Sequence, residues 1–332
     1  MASGVATKAA AESKRLVLIV VLAVVATGPP LVAGRIVLGS DATTMLLFGT
    51  LVGFINTVSG GRRVGSIAAV AFILVTPVAV VAGQVPVAGA CLMAIGCIFV
   101  GTSAYWQRYG GFNIILVGML FEMSLPEGIT SRMVGGSDES NYLLAVLAGT
   151  AVCVFWPVLV VPLMRAVREI SLDQHNSKTD TLRHAVTLPI LVSLTTYYAL
   201  AFARATHGVW LPLTLLMVLQ VGAQATWHRA LQRVWGTVGG AVFAALAGTY
   251  IHEQWIITLL IVVMLLGMFA TMGREPYALF AFFLTALILL GISSTEPAIE
   301  ASRERVIYTV VGAALALGAL GIGDRKSTRL NS

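Results

Sequence analysis

Long apolar stretches follow one another from Leu16 to Gly323, separated by short polar or charged clusters. A bilayer crossing takes about 20 apolar residues, fewer where a helix is broken or shielded by protein. On that scale the pattern predicts spans near 16–38, 42–58, 64–83, 86–106, 112–125 and 142–164. A second set follows near 185–203, 209–224, 234–251, 254–272, 276–293 and 306–323. The first span carries a kink signal at Gly28-Pro29-Pro30, because proline removes a helical donor and clashes with the preceding turn. The predicted fold is all-α, a polytopic membrane protein of about 12 transmembrane helices.

Composition agrees with the pattern. The chain is 58% hydrophobic and 11% charged, against roughly 25% charged for a soluble domain. Cys91, Cys97 and Cys153 all lie inside apolar runs, so they read as buried thiols and not as a disulfide framework or a metal site. Leu16–Leu38 is long for a signal peptide and lacks a clear small-residue cleavage site, so it reads as a first span.

The formal charge of +6 raises nucleic acid as a partner, but its distribution points to topology. With the N-terminus in the cytoplasm, the inner set includes Lys8, Lys14, Arg15, Arg62, Arg63, Arg108, Arg229, Arg233 and Arg274. The outer set is Arg35, Arg132, Arg204, Arg303 and Arg305, accompanied by most of the acids. That separation follows the positive-inside rule. It assigns the chain to the cell (cytoplasmic, inner) membrane as a multi-pass protein, with the lipid bilayer as its partner and no nucleic acid.

The two halves echo each other. Arg62-Arg63-Val64-Gly65-Ser66 lines up with Arg233-Val234-Trp235-Gly236-Thr237 as Arg-x-x-Gly-Ser/Thr. Six spans per half give both halves the same orientation, hence two parallel six-helix repeats. The expected organisation is a cytoplasmic segment 1–15, a first repeat 16–164, a cytoplasmic linker 165–184, a second repeat 185–323 and a polar tail 324–332. That tail, DRKSTRLNS, resembles translated sequencing-adapter read-through, which implies that the native C-terminus lies elsewhere.

The start Trp210-x-x-x-Thr214, the pair Arg229-x-x-x-Arg233 and Gly236-Thr237-x-x-Gly240 resemble the fusaric acid resistance protein-like family, whose members are also described as integral membrane bound transporters. Bacterial aromatic-acid exporters and plant aluminium-activated malate transporters look like relatives. The resemblance is strongest over 185–323 and weaker over 42–164. It implies an all-helical membrane bundle that exports or passes organic anions. Larger members place a sizeable cytoplasmic region between their halves, whereas the link here is short.

Arg229 and Arg233 lie one helical turn apart and point the same way. They read either as holders of a carboxylate through charge-assisted bonds or as topology anchors that snorkel to lipid phosphates. Arg62 and Arg63 join them through the repeat. Arg204 is an outer arginine that either lines a vestibule or pairs with an acid. Thr214 and Gln220 are polar groups within a span, suited to lining a passage or to interhelical hydrogen bonds. Gly65, Gly236, Gly239 and Gly240 read as close-packing positions between helices. Glu122, an acid inside a span, is the candidate for proton coupling, weighed against a helix-end residue facing the headgroups.

No catalytic residues, cofactor or metal are expected. An inside-negative potential drives anions outward by roughly 2.3 kcal/mol per charge per 100 mV, and no phosphate-binding Gly-rich loop with Lys-Ser/Thr is present. The expected function is secondary export of aromatic or other organic anions, with an anion channel as the alternative. A membrane enzyme would have to use Glu169, Asp173, His175 and Asp180, acids and a histidine on the linker. A homo-oligomer and an efflux partner stay open.

Overall fold

The computed structural model describes residues 21–22, 24–38, 42–105, 112–125, 137–163, 178–251, 253–272, 276–292 and 298–330. The segment 1–15, Arg108, Arg132, Arg274 and the candidate enzyme residues Glu169, Asp173 and His175 lie outside them.

The described residues form eleven helices and no strand. In order they are α1 (Val24–Leu38), α2 (Thr43–Ala82), α3 (Pro86–Tyr105), α4 (Asn113–Met123), α5 (Ser137–Leu163), α6 (Lys178–Phe202), α7 (Trp210–Val218), α8 (Ala223–Tyr250), α9 (Gln254–Thr271), α10 (Tyr277–Ile292) and α11 (Ala298–Leu330). Met45–Ala82, Tyr142–Pro162 and Lys178–Phe202 are long and apolar enough to cross a bilayer, and five shorter apolar helices accompany them. α8 and α11 are long as well, but they carry Arg229 and Arg233, and Arg303 and Arg305, within their length.

The predicted segments 42–58 and 64–83 lie in the single element α2, which is broken at Gly61. Gly61 has φ 72° and ψ −176°, a conformation that side-chain-bearing residues avoid. The chain reverses there. A Cβ on Gly65 would touch Thr57, and Phe48 and Phe72 both border Gly118. α2 is therefore a helical hairpin with two antiparallel arms. α6 begins at Lys178, inside the stretch read from sequence as linker, and Asp180 in its first turn suits the positive end of the helix dipole.

Glycines set the helix pairings. Along the first arm of α2, Gly49 meets Thr150 and Gly53 meets Val154, so this arm runs parallel to α5. The second arm runs parallel to α4, with Phe72 against Gly118 and Thr76 bonded to Glu122. In the second half, Gly236 meets Ala278 and Gly240 meets Phe282 and Thr285, which makes α8 and α10 parallel. α7 and α11 are parallel too, as Trp210 faces Arg305 and Thr214 faces Gly312. α3 and α6 join the halves in antiparallel fashion, through Gly89 with Leu200 and Gly101 with Ala185. One apolar core extends from Leu22 to Ala316 across both halves, and Phe54 meets Phe269 edge-on at 5.2 Å between them.

The polarity of α8 is inverted relative to a soluble protein. Leu231, Trp235, Val242 and Leu246 form its exposed face, whereas Thr226, Arg233 and Thr237 are buried. Leu74, Ile95, Leu144 and Leu194 likewise face outward from their own helices. Water would penalise such a surface, and hydrocarbon favours it.

Candidate anion site

α7, α8, α10 and α11 converge on a charged interior. Arg233 of α8 and Arg305 of α11 are both 0% exposed, and their positive charges lie close enough to repel. One Arg233 terminal nitrogen donates to the Tyr277 hydroxyl at 3.1 Å. Its Nε and other terminal nitrogen have no partner among the described residues, nor do any of the three guanidinium nitrogens of Arg305. Eleven buried side-chain nitrogen and oxygen atoms on α8, α10 and α11 are unmatched in this way, with Thr237, Thr285, Ser302 and Thr309 each contributing a hydroxyl. Buried polar groups are normally paired, and an uncompensated buried charge is far more costly. These unpartnered donors, gathered around two buried guanidiniums, make this interior the candidate site for an anion.

Two aromatic rings hold the arginines in place. The Arg229 guanidinium carbon lies 3.6 Å from the Tyr277 ring centroid, and that of Arg305 lies 5.2 Å from the Trp210 centroid. Both are cation–π contacts, which strengthen as water is removed. Tyr277 thereby ties α8 to α10, and Trp210 ties α7 to α11.

The turn between α6 and α7 straps this site on one side. His207, with φ 51°, stacks on Trp210 at 4.9 Å between centroids. Its Nδ1 lies 3.0 Å from a Glu304 carboxylate oxygen, and Thr206 pairs with the Tyr308 hydroxyl at 2.8 Å. Glu304 is thus bound to His207, although it adjoins Arg305 in sequence.

The residues singled out from the sequence fall in different places. Arg229, Arg233 and Thr214 belong to the convergent group, with Thr214 buried and donating to the Trp210 carbonyl. Gln220 occupies the break between α7 and α8, where its backbone N–H donates to Thr226 and its side chain to the Leu219 carbonyl. Gly236 and Gly240 provide the close approach of α10, and Gly239 borders Phe282. Arg62 and Arg63 are exposed beside the Gly61 break, with Gly65 buried against Thr57. Arg233 lies about three turns beyond the break at Gly222, whereas Arg62 directly follows the break at Gly61. Arg204 donates to the Gly83 carbonyl and so joins the α6–α7 turn to the α2–α3 turn. Glu122 sits apart on α4 in the first half, 0% exposed, with one oxygen 2.9 Å from the Thr76 hydroxyl and the other unpartnered among the described residues.

Charge counting assigned Arg305 to the outer surface, opposite Arg233. The structure instead buries the two together. A signal was present in the sequence, since Ser302, Arg305, Thr309, Gly312 and Ala316 recur at helical spacing as a face of small and polar residues. All five are buried. Among the described residues no group of His, Cys, Asp and Glu could hold a metal ion.

The fold and this interior define a helical membrane protein with a buried cationic centre. Residues 191–319, which contain that centre, match the family model described as fusaric acid resistance protein-like. The chain is similar to the inner membrane protein YccS of Escherichia coli, 29% identical over 157 residues, which are 46% of this chain and 21% of that protein. It is also similar to uncharacterized proteins of Synechocystis (32% identical, 34% of this chain and 15% of that protein) and Neisseria gonorrhoeae (31%, 44% and 35%). The chain thus spans between 15% and 35% of the lengths of these relatives. No solved structure matches it.

Proposed function

We propose that this protein exports aromatic or other organic anions across the cytoplasmic membrane as a secondary transporter. The observation that carries the reading is the pair of fully buried guanidiniums of Arg233 and Arg305, five of whose six nitrogens have no hydrogen-bond partner among the described residues. On insertion scales an arginine at the centre of a span costs about 2.5–3.5 kcal/mol, and a transported anion would offset that burial. The inside-negative potential supplies an outward force on such an anion. The parallel pairs α2/α5 and α2/α4, set beside α7/α11 and α8/α10, support reading 16–164 and 185–323 as two repeats of one orientation. Glu122, an acid enclosed in the first half, serves in this reading as the group that carries a coupled proton.

Efflux of preloaded benzoate and phthalate from proteoliposomes tests the proposal. Arg233→Ala and Arg305→Ala lower the flux of either anion by an order of magnitude or more at equal reconstitution, while the exposed Arg62→Ala leaves it near the parental rate. Unchanged flux in both buried-arginine variants overturns the reading. Saturation with anion concentration marks a carrier, and an unsaturating current that follows voltage marks a channel.

A further inference from the structure

The charge count of the site has a consequence for its ligand. Arg233 and Arg305 together place two positive charges at 0% exposure, and Arg229 adds a third, half-buried one against the face of the Tyr277 ring. No carboxylate among the described residues pairs with any of the three. The nearest acid in sequence, Glu304, is already held by His207. Five guanidinium nitrogens of Arg233 and Arg305 point to no acceptor among the described residues, and a guanidinium matches a carboxylate or phosphate through two parallel bonds. A monoanion entering here would neutralise one of the two fully buried charges and leave the other uncompensated, the costly condition for a buried ion.

We infer that the site selects anions bearing two negative charges, one for each of Arg233 and Arg305, over monoanions of the same shape. This rests on the transport reading above and narrows it. The chemistry required is a pair of anionic oxygen groups on one small molecule, as in a dicarboxylate, with Arg305 acting as the specificity-determining residue. Arg233 is partly engaged by Tyr277. Arg305 has no hydrogen-bond partner of its own among the described residues, so the second anionic group is the one it receives.

Equilibrium binding to the full chain in nanodiscs distinguishes the cases when probes are matched in shape and differ in charge: phthalate against benzoate, and succinate against butyrate. The parental protein binds each dianion roughly tenfold or more tightly than its monoanion partner. Arg305→Gln reduces both preferences to within about twofold, chiefly by losing dianion affinity, because one buried charge then remains to be matched. Arg305→Lys, which keeps the charge, retains a preference for the dianion and guards against a simple folding defect in the glutamine variant. Equal affinities within each pair for the parental protein overturn the inference, as does a preference that survives Arg305→Gln. If flux still depends on the arginines while affinities are equal, the transport reading stands and only the charge selectivity falls. If neither binding nor flux is seen, both fall.

Discussion

The indole of Trp210 contacts side chains from two other elements, with the His207 ring stacked on it at 4.9 Å between centroids and the Arg305 guanidinium carbon 5.2 Å from its ring centroid. Trp210 is 1% exposed, so this contact is shielded from water and joins α7 and α11 where the bundle buries charge. It makes an aromatic residue at a helix start part of the support for an arginine 95 positions later.

Trp210→Ala therefore removes both a large packing element and the π-face beneath Arg305. The expected loss of stability is about 3–5 kcal/mol for truncating a fully buried tryptophan. Trp210→Phe retains a ring and a weaker cation–π contact, and loses less. Thermal unfolding followed by size-exclusion in detergent ranks the variants. Equal stability of the alanine and phenylalanine forms would show that the ring contributes nothing to holding Arg305.

Gly240 permits the close approach of α8 to α10. A Cβ there would sit 3.0 Å from the Thr285 Cβ and closer still to backbone of α10, so Gly240→Val has no flexible side chain to displace. Overpacking of this kind costs about 1–3 kcal/mol, and the variant is expected to lose its monodisperse elution peak at lower temperature. Gly318, exposed on α11 with nothing within 4 Å of an added Cβ, is the contrast. Gly318→Val should elute as the parent does.

Glu122→Gln keeps the size and shape of the side chain and its contact with Thr76 while removing the group that can bind and release a proton. The fold is expected to survive, because the amide adds no charge to a position that is 0% exposed. Anion binding at the arginine site should persist, while proton movement accompanying efflux is lost. A pH-sensitive dye inside proteoliposomes reads that movement directly, and the same proton flux in parent and variant would remove Glu122 from the mechanism.

Several features were legible in the residues themselves. The apolar runs at helical length announce a membrane bundle, and the Gly-Thr-x-x-Gly sequence after Arg233 marks a close helix contact that the structure locates against Ala278 and Phe282. Arg229 and Arg233, one turn apart, are drawn to the same interior because helical spacing sets their relative direction. The pairing of Arg62 with Arg233 rested on local sequence likeness. The two differ in surroundings, since Arg62 directly follows the Gly61 reversal and is exposed, whereas Arg233 is buried far along its helix.

Sequence by itself determined the solvent, the helical class and the candidate anion chemistry, because each depends on composition and on spacings within a single helix. Tertiary structure alone decided that Arg305 joins Arg233, that Tyr277 and Trp210 hold them, and that Glu304 turns to His207 and away from the site. Helical periodicity sets the direction of a side chain relative to its own axis. Which side chains meet depends on how the helices pack, and here glycine contacts align α8 with α10 while Thr214 against Gly312 aligns α7 with α11.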